Sequence, residues 1–156
     1  LVCGGSDGIG YGVATAFYEA GATVSITGTR RADSYDNDFS HFTYYQLDVQ
    51  NEAAITQLAT QFEALDVLAN CVGAVLWKKG EFKRSGFEKI LSINLSGAMQ
   101  LCTEFYPLLM KSQGGGCAPF THDAKPRGMK SAMAEQPLSH ADGSADFYYR
   151  GQGSLI

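Results

Sequence analysis

The sequence predicts an α/β fold over residues 1–113, a parallel doubly wound sheet with strand order 3-2-1-4, and three observations predict it. The chain opens on Leu1-Val2-Cys3-Gly4-Gly5-Ser6-Asp7-Gly8-Ile9-Gly10, an apolar strand end that runs into glycines and then into an apolar helix. Short β-branched or apolar runs then alternate with helically spaced apolar residues, as β and α elements in turn. At Gly114-Gly115-Gly116 this periodicity stops, so the sheet is expected to be incomplete and residues 114–156 to form an irregular or disordered tail.

Leu1 to Cys3 read as the end of the first strand, which places its opening residues ahead of Leu1. Ile9, Val13, Phe17 and Ala20 give the first helix, closed by Gly21. Thr23 to Thr27 form strand two, ending at Gly28, and Thr29 to Phe42 read as a polar, turn-rich loop. Thr43 to Leu47 form strand three, ending at Asp48-Val49. Asn51 caps a helix that carries Ile55, Leu58, Ala59 and Phe62 on one face. Val67 to Cys71 are short and apolar, as a buried parallel strand should be.

From Phe87, the positions Phe87, Ile90, Leu91, Leu95, Ala98, Leu101, Cys102 and Phe105 fit one long helix, which Pro107 bends or shortens. Asn94 falls inside that stripe, and an amide on a buried face needs hydrogen-bond partners. Residues 114–156 hold three of the four prolines and seven of the 18 glycines, and their only Leu, Ile, Val or Phe are Phe120, Leu138, Phe147, Leu155 and Ile156, too few for two more strands and their helices; Cys117-Ala118-Pro119-Phe120 reads as a poor central strand.

The 156 residues, 45% apolar and 18% charged, suit one globular domain. Net charge is −4 and no basic run exceeds Arg30-Arg31 or Lys78-Lys79, so nucleic acid is not an expected partner. No apolar stretch is long enough for a membrane span, and no basic region followed by an apolar one opens the chain. The four cysteines show no C-x-x-C spacing and read as reduced thiols of a cytoplasmic protein. Cys117, His122 and His140 fit no zinc-ligand spacing, so no metal is expected.

In the glycine motif, Gly4 permits a tight turn, Gly8 lets the backbone near phosphates, and Gly10 allows close helix packing, with the helix N-terminus facing negative charge. That is the Rossmann-type seat for a dinucleotide; a plain strand-to-helix turn is the alternative. Gly28 stands where an acid would accept from the ribose 2′-OH, and Arg30-Arg31 follow within reach of a 2′-phosphate, which favours NADP(H) over NAD(H). Solvated loop arginines are the competing account, and Asp7 in the glycine loop counts against a nearby phosphate.

The spacing Gly-x-x-x-Gly-x-Gly at Gly4, Gly8 and Gly10, followed by Asn70-Cys71-Val72-Gly73 and Asn94, resembles the short-chain dehydrogenase/reductase family. Cys3 stands for that family's threonine, and Cys71-Val72 depart from its N-N-A-G. The resemblance implies that Gly4, Ser6, Gly8, Ile9, Gly10, Arg30, Asp48, Val49, Asn70 and Gly73 hold the cofactor. It also implies that Asn94 serves catalysis by holding a water of the proton relay, and that hydride moves between the dinucleotide and a small carbonyl or alcohol. The family's proton donor is Tyr-x-x-x-Lys, yet none of the eight tyrosines here is followed four residues later by lysine, and the catalytic serine is also missing. The helix from Phe87 resembles the family's dimer-forming helix, without its usual partner helix.

Two function classes follow. In one, an oxidoreductase's activity resides in a fuller gene product, and the present C-terminus comes from a frameshift, a retained intron or a misread frame. In the other, a non-catalytic dinucleotide-binding or interaction protein has descended from that family. The abrupt change at Gly114 favours the first.

Overall fold

A computed structural model of the chain describes residues 1–76, 80–112 and 116–119. Strands β1 (Val2–Cys3), β2 (Ser25–Gly28), β3 (Thr43–Gln46), β4 (Val67–Asn70) and β5 (Gly116–Pro119) lie in the order β3-β2-β1-β4-β5. Every pairing is parallel, with Val2 opposite Ile26 on one side and Cys3 opposite Asn70 on the other. The first four strands stand in the predicted 3-2-1-4 order.

The fifth strand corrects the expectation for residues 117–120. Gly116 opposes Val67 and Pro119 opposes Asn70, and the Gly116 N–H donates to the Asp66 carbonyl at 3.0 Å. β4 is therefore paired on both sides, where the sheet was expected to be incomplete beyond it. Proline lacks an N–H and is unsuited to a strand paired on both sides, but β5 is the outermost strand among the described residues, so that ladder bond is not required. The rest of the expected irregular tail, residues 114, 115 and 120–156, lies outside the described residues.

Alternation along the strands builds a core on each face of the sheet. Val2, Ile26 and Ala69 pack with Val13 and Ala14 of α1 (Gly8–Glu19). Cys3 and Leu68 point the other way, against Ile55 and Leu58 of α2 (Glu52–Ala59) and Leu101 and Phe105 of α4 (Ala98–Leu109). A helix layer thus covers each face, as right-handed crossovers to either side of β1 require. Each fully buried large side chain contributes roughly 1.5–3 kcal/mol. The caps follow the sequence: Asn51 Oδ1 accepts from the Ala54 N–H at 3.1 Å, and Gly21 ends the first helix at a φ of +89°.

The long helix from Phe87 is interrupted. α3 (Arg84–Leu91) passes into a π-helical turn (Ser92–Gly97) before α4 begins. One extra residue in a helical turn rotates everything beyond it by roughly 100°. The single apolar stripe therefore splits: Leu101 and Phe105 are fully buried, whereas Phe87 and Leu95 are 54% and 63% exposed. Asn94, expected on a buried face, is exposed for the same reason.

This division sets the expected cost of truncation. Phe105→Ala should lower unfolding free energy by about 3–5 kcal/mol, and Leu95→Ala should change it by less than about 0.5 kcal/mol. Urea denaturation of both variants checks it; equal losses would mean that the stripe faces one core after all.

Candidate functional site

Between β1 and α1 the chain turns through Gly4 at a φ of +77° and Gly8 at +53°, conformations that side chains with a Cβ rarely adopt. A Cβ on Gly10 would lie 2.0 Å from the Gly4 carbonyl oxygen, so the first turn of α1 rests directly on the loop backbone. A Cβ on Gly4 would lie 2.9 Å from the Cys71 carbonyl oxygen, which brings the loop against the exit of β4. The Gly4 N–H donates to Thr27 Oγ1 at 3.1 Å, a side chain that is almost wholly buried in β2. Asp7 caps the helix, accepting from the Gly8 N–H at 2.7 Å. Ser6 is buried behind this loop, and Ile9 stands exposed at its rim.

This loop lies at the C-terminal ends of β1 and β4, the point where the strand order reverses and open α/β sheets bind ligands. On the β4 side, buried Asn70 turns its Oδ1 to the Val72 N–H at 3.1 Å, and the Cys71 N–H donates to the Cys3 carbonyl at 2.8 Å. Space is open at Gly73, where a Cβ would meet nothing within 4 Å. The next residue is fixed from across the crevice: the Ala74 N–H donates to Asn94 Oδ1 at 2.8 Å, and Asn94 Nδ2 donates to the Ala74 carbonyl at 3.0 Å. Both halves of the Asn94 amide are spent on one residue's backbone. Burial pushes the Cys3 thiol up to about 12 and the Cys71 thiol up to about 11. At neutral pH both stay protonated, Cys3 as a small apolar group of the core beneath the sheet and Cys71 half-buried beside Gly10, and neither is a nucleophile.

Beyond β3, Asp48 turns its carboxylate onto the Gln50 N–H at 3.0 Å, while Val49 is buried. Gly97 of the π-helical turn presses on this exit, since a Cβ there would lie 2.8 Å from Val49 Cγ2.

At the end of β2 the two arginines part. Arg31 pairs with Asp33 at 3.1 Å on the exposed surface, whereas the Arg30 guanidinium lies 4.1 Å from the centroid of the Tyr35 ring. The Tyr35 hydroxyl accepts from the Arg30 N–H at 3.1 Å. A Cβ on Gly28 would lie 2.6 Å from both Ser6 Oγ and the Tyr35 hydroxyl, so no carboxylate fits at residue 28 without displacing them.

The predicted residues thus lie at the C-terminal end of the sheet: Gly4 and Ser6 in the loop after β1, Gly8, Ile9 and Gly10 in the first turn of α1, Arg30 after β2, Asp48 and Val49 after β3, and Asn70 at the end of β4 with Gly73 beyond it. Asn94 reaches it through Ala74. Sequence reasoning missed Thr27, Tyr35 and Asn37, whose Nδ2 donates to the Ser6 carbonyl at 3.0 Å. The signal for Tyr35 was the aromatic series Tyr35, Phe39 and Phe42 inside a segment read as a polar loop, with Tyr44 in the strand that follows. Exposed backbone amides at a helix N-terminus, an arginine and buried hydroxyls suit an extended phosphorylated ligand. Among the described residues no cluster of side chains suits a metal ion, and no helix is long and apolar enough to cross a membrane.

The glycine contacts have opposite consequences within one helix. Gly10→Ala should destabilise the chain by about 1–3 kcal/mol or more, because the neighbour it meets is backbone. Gly12→Ala, at an open helical position, should stabilise it by roughly 0.5–1 kcal/mol. Urea midpoints measure both, and an unchanged midpoint for Gly10→Ala would contradict the close approach.

Comparison with known proteins fits this geometry. A family profile described as short chain dehydrogenase matches residues 1–118. The chain is 29% identical over 130 residues to a 3alpha-hydroxysteroid dehydrogenase of Mediterraneibacter gnavus, covering 74% of this chain and 51% of the relative. It is 30% identical over 122 residues to an L-fucose dehydrogenase of Oryctolagus cuniculus, covering 73% and 43%. The chain thus spans about half the length of these curated relatives. Among solved structures it resembles the ligand-free aldohexose dehydrogenase of Thermoplasma acidophilum, with a TM-score of 0.66 and 19% identity over 79% of this chain and 51% of that one. A serine dehydrogenase of Escherichia coli gives a TM-score of 0.64 and 23% identity over 75% and 58%. These structural likenesses establish the fold.

Proposed function

The chain belongs to the short chain dehydrogenase family, and on that premise we propose that it is the cofactor-binding part of an oxidoreductase that moves hydride between NADP(H) and a small carbonyl or alcohol. The observation that carries this reading is the glycine loop, held by Gly10 and Thr27 at the sheet's reversal point with the α1 N-terminus open to a pyrophosphate. Gly4, Ser6, Gly8, Ile9 and Gly10 cradle the phosphates, and Asp48 with Val49 flanks the adenine. Asn70 and Gly73 border the nicotinamide half.

NADP(H) is favoured over NAD(H) because residue 28 has no room for an acid and Arg30 stands beside it, without an ion pair among the described residues. Asn94 acts by positioning, since it holds the loop after β4. The sequence contains no Tyr-x-x-x-Lys pair, so we assign this chain the binding of cofactor and not the donation of a proton to a carbonyl. The second reading, a dinucleotide-binding protein without catalysis, rests on the same absence. The protein's site of action is the cytoplasm in either reading.

Fluorescence titration tests the assignment. NADPH should bind more tightly than NADH, and Arg30→Ala should weaken NADPH by about tenfold or more while leaving NADH unchanged, because one charged contact to a phosphate is lost. Tighter binding of NADH would overturn the preference, and binding of neither would overturn the function. Carbonyl reduction by the chain as given should be at background; robust turnover would show that another residue supplies the proton.

A further inference from the structure

We propose that Asn37 is a positioning residue of the glycine loop: by holding the Ser6 carbonyl, it keeps the Ser6–Asp7 peptide from turning that oxygen toward a bound phosphate. This rests on the dinucleotide reading above and adds to it a residue of the β2–β3 connection that belongs to none of the sequence motifs.

The loop runs from Gly4 to Asp7, between β1 and α1, and two side chains grip its backbone from the β2 side. Thr27 Oγ1 accepts from the Gly4 N–H at 3.1 Å, and Asn37 Nδ2 donates to the Ser6 carbonyl at 3.0 Å. No peptide bond among the described residues is cis. In a trans peptide the carbonyl and the N–H of the following residue point in opposite directions. With the Ser6 oxygen drawn to Asn37, the Asp7 N–H faces away from the segment that carries Asn37. It donates to no group among the described residues, and Asp7 is exposed. That N–H joins the amides of the first turn of α1 as a donor open to an anion. Turned over, the same peptide would present an oxygen in place of a donor, and an oxygen repels phosphate. The chain itself does little to prevent this. Gly8, the next residue, stands at a φ of +53° with open space around it, and Asp is among the few residues that visit left-handed backbone.

Asn37 can hold the loop because its own position is fixed on both sides. Ahead of it, the Tyr35 ring packs against Phe39 at 5.6 Å between centroids, and Phe39 stacks on Tyr44 of β3 at 5.2 Å. Behind it, the Asp38 carbonyl accepts from the Tyr11 hydroxyl at 3.1 Å. The Asp38 carboxylate accepts from the Ser40 N–H at 2.8 Å and from the Ser40 hydroxyl at 2.9 Å. Tyr11 belongs to α1 and meets Phe42 edge-on at 5.9 Å. α1 thus steadies the connection, and the connection steadies the loop that leads into α1. A side chain supported in this way imposes a direction on the peptide it binds.

Calorimetric titration with ADP, which carries phosphates, and with adenosine, which lacks them, tests the assignment. Asn37→Ala should bind ADP about tenfold more weakly and adenosine as before. A bond that only stabilised the fold would instead lower the urea midpoint and leave ADP affinity alone. The unaltered chain supplies a second readout: in amide NMR spectra the Asp7 proton should move downfield when ADP is added, as a new donor to phosphate does, and adenosine should leave it in place. Unchanged ADP affinity in Asn37→Ala, an equal loss on both probes, or an Asp7 amide that bound ADP does not move would overturn the assignment while leaving the dinucleotide reading intact. Failure of the unaltered chain to bind ADP would end both.

Discussion

Everything at the crevice depends on how closely the first turn of α1 approaches the loop that precedes it. With Gly10 lacking a Cβ, the helix rests on the Gly4 carbonyl, and with Gly4 lacking one, the loop rests on the Cys71 carbonyl. These two contacts fix the helix N-terminus relative to both β1 and β4, at the point where the strand order reverses. Thr27 completes the arrangement from β2 by accepting the Gly4 N–H in a place where an unpaired amide would cost about 1–3 kcal/mol. Three strands and one helix therefore set the position of a single turn.

The second wall is held by the π-helical turn. Its Gly97 packs on Val49 at the exit of β3, its Ser92 hydroxyl reaches the Gln50 side chain at 3.4 Å, and its Asn94 binds Ala74 beyond β4. One turn thus connects the two strand exits that flank the crevice on this face. Each hydrogen bond contributes only about 0.5–1.5 kcal/mol net, so the effect lies in geometry rather than strength. The loop after β4 has its backbone fixed by a side chain that can reach it only from this register.

What was legible in the sequence follows from which signals survive averaging over a window. The 3-2-1-4 order was legible because short strand-like runs alternate with helically spaced apolar residues along the chain, as the β and α elements of a doubly wound sheet do. β5 was not, since proline and glycine argue against a strand by propensity, whereas a parallel edge strand asks only for backbone atoms in register. The π-helical turn was equally hidden, because one added residue leaves composition unchanged while rotating all that follows. Asn94 inside an apolar stripe was its one visible trace. The glycine loop, Arg30 and Asn70 stood out by their local motifs, whereas Thr27 and Tyr35 were passed over because contacts between distant segments leave no local period.

The rotation at residues 92–97 also explains why one helical sequence can serve two surfaces. Had Phe87 to Phe105 formed an uninterrupted helix, Leu95 and Phe105 would share a stripe, and Asn94 would point away from the loop after β4. With the π-helical turn between them, α4 gives Leu101 and Phe105 wholly to the core beneath the sheet, while Asn94 turns to Ala74 at the crevice. The apolar residues of α3 are thereby left outside that core, with Phe87 more than half exposed. A helix built for stability alone would have kept them in. Giving up that burial places one amide where the loop at the mouth of the crevice needs it, and so the cost falls on packing while the gain falls on the site.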